Sequence, residues 1–122
     1  MAAGNQQSGE YSFKFTSFTL TPGPGGSIII QGNCEGTATG YGTGLGTMTA
    51  IGGNSGTVSW CARHFLESGE PLSVSGSGTY ESSSKNRWRT QLVHQLSDGR
   101  RVASDGEVDL ANRSWKGTFE QH

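Results

Sequence analysis

Between Glu35 and Ile51 the chain alternates two kinds of residue almost without exception. The odd positions carry Glu35, Thr37, Thr39, Tyr41, Thr43, Leu45, Thr47, Thr49 and Ile51. The even positions carry Gly36, Ala38, Gly40, Gly42, Gly44, Gly46, Met48 and Ala50. A repeat of two is that of a β-strand, whose side chains point alternately to opposite faces. The stretch therefore reads as one long strand with a side-chain face and a nearly bare face. Glycine in a strand marks a sharp bend or a close backbone approach. A strand with such a face coils strongly, as a closing sheet requires.

The same period runs through the rest of the sequence, broken by glycine-containing turns. Tyr11, Phe13 and Phe15 alternate, and Phe18 and Leu20 continue in the opposite phase, which places a bulge near Thr16–Ser17. Thr21-Pro22-Gly23-Pro24-Gly25-Gly26 reads as a loop before the Ile28–Ile30 strand. Val58, Trp60, Ala62, His64 and Leu66 share one face of the next strand, and Leu72, Val74, Gly76, Gly78 and Tyr80 one face of the one after it. Trp88, Thr90, Leu92, His94 and Leu96 then lead into Ser97-Asp98-Gly99-Arg100, a strong hairpin signal. Val102 to Leu110 and Trp115 to Phe119 complete eight strands, with no convincing helical period. Regularly spaced strands with short turns predict an antiparallel meander. Eight strands close well into an up-and-down barrel, which removes exposed edges. A β-sandwich is the alternative, although the long crossovers of a Greek key are missing. Residues 1–9 read as a disordered tail and 10–122 as a single barrel domain.

Composition narrows the partners. The 122 residues fit one domain, and the net charge of −1 with interspersed signs gives no footprint for nucleic acid. No apolar run approaches a membrane helix. The polar start from Met1 to Glu10 has no signal-peptide core, so a cytoplasmic location is expected. Cys34 and Cys61 have no metal-ligand spacing and read as two free thiols, with a disulfide possible only if they face each other. Lys85, Arg87, Arg89, Arg100 and Arg101 gather near one hairpin, and Asp105, Glu107 and Asp109 on the next strand make cross-strand ion pairs the simpler reading than a cationic patch.

The meander, together with Gly36-Thr37-Ala38-Thr39-Gly40-Tyr41-Gly42-Thr43-Gly44, Gly76-Ser77-Gly78-Thr79-Tyr80 and Asp105-Gly106-Glu107, resembles the allene oxide cyclase-like β-barrels over most of the chain. The resemblance implies an eight-stranded barrel with an apolar cavity, a few polar groups inside it, and assembly into oligomers. It assigns no catalytic position here.

If the faces with large residues point inward, the interior holds Glu35, Tyr41, Trp60, His64, Tyr80, Trp88 and His94. His64 and His94 are candidate general acid–base groups, or core histidines bonded to a local partner. Glu35, if buried, is a further acid or base, and at the rim it faces solvent. Tyr41 is a candidate hydrogen-bond donor to a carbonyl or oxyanion. Trp60, Trp88, Tyr80 and Leu92 are candidate walls for a substrate. Cys61, in the opposite phase, faces outward with Arg63. No metal site and no cofactor are expected.

The leading functional reading is a cofactor-free isomerase, cyclase or lyase acting on an apolar substrate by proton transfer. The alternatives are a non-catalytic binder of a hydrophobic small molecule, and a structural barrel filled by its own side chains. Outward Cys61, Phe65 and Val93 predict a homo-oligomer, most simply a dimer.

Overall fold

The computed structural model describes residues 8–121. Eight antiparallel strands run in simple up-and-down order: β1 (Ser8–Pro22), β2 (Ile28–Ala38), β3 (Gly42–Gly52), β4 (Ser55–Phe65), β5 (Pro71–Ser84), β6 (Arg87–Leu96), β7 (Arg101–Asp109) and β8 (Ser114–Gln121). β1 pairs with β8, Tyr11 opposite Gly117, so the sheet closes into a barrel and the sandwich is excluded. Ser8 and Gly9, read from sequence as part of the tail, are strand residues paired with Glu120 and Phe119. Residues 1–7 and His122 lie outside the described residues.

The bulge falls where the phase change placed it: the β1–β2 register shifts between Phe15 and Ser17. It lets Phe15 and Phe18 both turn to the interior side, with ring centroids 5.0 Å apart. Beyond it the β1–β2 hairpin overhangs the barrel, with Leu20 opposite Ile30 and both exposed.

Residues 35–51 are two strands, not one. Thr39, Gly40 and Tyr41 turn the chain, with Gly40 and Gly42 at φ 78° and 70°, in the left-handed region that glycine occupies at least cost. Ala38 pairs with Gly42 and Gly36 with Gly44, so even positions stay on one face through the turn and the alternation runs on unbroken.

The bare face of this hairpin points inward, the reverse of the expectation from residue size. Rings from adjacent strands need the space. A Cβ on Gly44 would meet the His64 ring, one on Gly46 the Trp60 ring, and one on Gly32 the Phe15 ring. On the other side Gly76 lies beneath the His94 ring of adjacent β6, and Gly106 beneath the Tyr11 hydroxyl, which reaches it across β8. Interiors pack as densely as organic crystals, so large and small side chains must alternate across facing strands.

The outer surface is rich in Ser, Thr and charged residues, the reverse of the apolar belt of a lipid-facing barrel. Among the described residues no helix is long and apolar enough to cross a membrane. Arg87 pairs with Glu107 and Asp109, and Arg89 with Asp105, as the cross-strand reading anticipated. Exposed pairs of this kind add little stability.

Candidate functional site: an apolar cup and a small histidine hollow

The interior has two compartments that share no lining residue. Their separation comes from the barrel's waist. Trp60 of β4 and Trp115 of β8 meet edge to face at 4.9 Å, and Phe13 of β1 packs on Trp60 at 5.3 Å. Trp115 Nε1 donates to Thr90 Oγ1 at 3.0 Å, which satisfies the indole in a site where both residues are almost fully buried.

On one side of the waist lies a cup of about 340 Å³, at the end where the β1–β2, β3–β4, β5–β6 and β7–β8 connections cluster. Phe15, Phe18, Met48, Val58, Tyr80 and Trp88 form its walls, and Thr90 lies at its base. Leu20, Ile30 and Leu110 line it and are exposed. No charged side chain lines it. The Tyr80 hydroxyl donates to the Gly53 carbonyl at 3.1 Å, so this phenol is already engaged.

On the other side is a hollow of about 60 Å³ lined by His64, His94, Tyr11, Tyr41 and Ser104 among apolar neighbours. Tyr41, in the β2–β3 turn, covers this end, and the Arg100 guanidinium sits 4.9 Å from the centroid of its ring. His94 Nε2 and Ser104 Oγ share a hydrogen bond of 2.8 Å. Burial, with the nearby His64 adding to it, pushes the His94 pKa down to about 4. Burial also lowers that of His64, while hydrogen bonding to the backbone of Tyr41 and Gly42 partly offsets it. Both imidazoles are thus held neutral near pH 7. Burial raises the Tyr11 and Tyr41 phenols, so both stay protonated.

The candidate residues therefore divide. His64, His94, Tyr41 and Trp60 come together around the hollow, and Tyr80 and Trp88 in the cup. Leu92 is core and lines neither compartment. Glu35 is corrected outright. It lies exposed on the outer face, because Cys34 and Gly36 take the inward positions of β2. Cys34 is buried and Cys61 exposed, on opposite faces, and both are free. The cup residues Phe18, Leu20, Ile30 and Met48 were not singled out. The phase change after the bulge was the signal that turned Phe18 and Leu20 toward the mouth. Among the described residues no group of three or more His, Cys, Asp or Glu gathers as a metal site.

Fold and cavities define a small up-and-down β-barrel with one open apolar end. No protein-family model, curated protein or solved structure matches the chain.

Proposed function

We propose that the protein binds a hydrophobic small molecule in the open cup without transforming it. The observation that carries this reading is the cup itself. Its 340 Å³ falls at the small end of the ~300–1,000 Å³ typical of ligand sites. Apolar side chains dominate its walls, and no acid, base or cation lines it. Moving apolar area out of water contributes about 25 cal/mol per Å², and only an uncharged guest gains it there without a desolvation cost. The acid–base reading rests on His64 and His94. They adjoin a hollow of about 60 Å³, and a substrate of the cup's size does not fit beside them. Exposed Leu45, Phe65 and Val93 support self-association as a secondary reading, which sedimentation velocity tests.

The test uses the uncharged fluorophore N-phenyl-1-naphthylamine. Saturable one-to-one binding is expected. Ala50→Phe, which fills the cup, weakens it at least tenfold, and the outward control Val93→Ser leaves it unchanged. Absence of saturable binding, or equal affinity in a folded Ala50→Phe variant, overturns the reading. Mass spectrometry of any compound that co-purifies, before and after incubation, separates a carrier from a catalyst.

A further inference from the structure

The histidine hollow raises a question separate from the cup. The Tyr41 hydroxyl, His64 Nδ1 and His94 Nδ1 have no hydrogen-bond partner among the described residues; the Tyr11 hydroxyl has those of Thr90 and Ser104 as neighbours. Tyr41, His64 and His94 are each only 5–6% exposed and line the same hollow. Buried polar groups are almost always paired, so a cluster of orphans around one space points to a guest.

We infer that this hollow is a specific site for ordered water, which bonds to His64, His94 and the Tyr41 hydroxyl. Size supports it: about 60 Å³ exceeds the roughly 10–15 Å³ that one water needs. Chemistry supports the identity. A neutral imidazole offers one donor and one acceptor, and a phenol offers both. Their partner must also give and accept, and water is the smallest molecule that does. An apolar guest would leave all three atoms unpaired. A metal ion would lack ligands, because no third His, Cys, Asp or Glu joins the pair among the described residues. An anion would meet neutral rings, with no cationic side chain lining the hollow.

The test is a crystal structure of the full chain at atomic resolution, with a second crystal under xenon pressure. Solvent peaks are expected within about 2.7–3.2 Å of the orphaned atoms, with no xenon in the hollow. A xenon peak, a single larger molecule, or side chains rotated to bond one another directly overturns the inference. In solution, magnetisation transfer from water to the His64 and His94 ring protons is expected in the unmodified protein, and its absence counts equally against the site. Tyr41→Phe adds a specific check: it should lose a peak and retain the transfer at His94. If that variant does not fold, the two measurements on the parent chain still decide.

Discussion

The Trp60 ring lies over Gly46 on the neighbouring strand, so close that any Cβ at position 46 would overlap it. Gly46 also pairs with Ala62, leaving two small residues beside the indole. Filling that space forces the indole off its rotamer, and overpacking of a core costs about 1–3 kcal/mol. Gly46→Ala should therefore lower stability by roughly 2 kcal/mol. Gly53→Ala, where a Cβ meets open space, should stay within about 0.5 kcal/mol. Urea unfolding of the two variants checks the contrast, and equal losses would show that position 46 is not held by Trp60.

This relationship explains what was legible in the sequence. Alternation at 35–51 disclosed strands, and the phase change at Thr16–Ser17 disclosed the bulge, because both are local consequences of the pleat. Which face of β2 and β3 turns inward is not local. It depends on Trp60 and His64 arriving from β4 to fill the space above Gly46 and Gly44. Size judged one strand at a time puts Glu35 on the inward face, and only the neighbouring strands reverse that. The turn at Thr39–Tyr41 was hidden for a related reason: a three-residue connection preserves parity, so two paired strands mimic one long strand. The division of the interior was equally invisible, since it rests on Trp115 reaching Trp60 and Thr90 across the barrel.

The histidine hollow predicts acid sensitivity. An unfolded histidine has a pKa of about 6.5, whereas His94 in the fold sits at about 4. Between these values the unfolded chain takes up a proton that the fold refuses. The stability tied to His94 is complete above about pH 6.5 and declines as pH falls toward about 4, by roughly 3 kcal/mol in all. His64, lowered in the same direction, steepens the decline. The lowered carboxyls Asp98, Asp105 and Asp109 lose their contribution only below the ordinary carboxylate range, a separate window. Urea midpoints from pH 7.5 to 4.5 should fall for the parent chain. His94→Leu should flatten the slope even though the variant is less stable overall, and an unchanged slope would remove His94 as the cause.

The two cysteines should react very differently. Cys61 is exposed on the outer face of β4, while Cys34 is buried and its thiol is pushed up to about 12 by burial. The thiolate is the reactive species, so Cys34 has neither access nor ionisation. A colorimetric thiol reagent at pH 8 should titrate one group in the native protein and two in denaturant. Two fast groups in the native state would mean that β2 opens readily.

Occupancy of the cup should be visible through one tryptophan. Trp88 is half-buried and lines the cup, whereas Trp60 and Trp115 line the hollow and not the cup. An uncharged quenching guest in the cup therefore contacts the Trp88 indole in preference to the other two. Saturating guest should therefore quench the exposed-type, red-shifted part of the tryptophan emission and leave the blue-shifted part in place. Trp88→Phe keeps an aromatic wall, so it should retain affinity within about threefold, a cost below ~1 kcal/mol, while abolishing the quench. If Trp88→Phe still shows the quench, the guest has passed the Trp60–Trp115 pair, and the compartments communicate. His64 and His94 would then stand within reach of a bound molecule, and acid–base chemistry would become the reading to pursue.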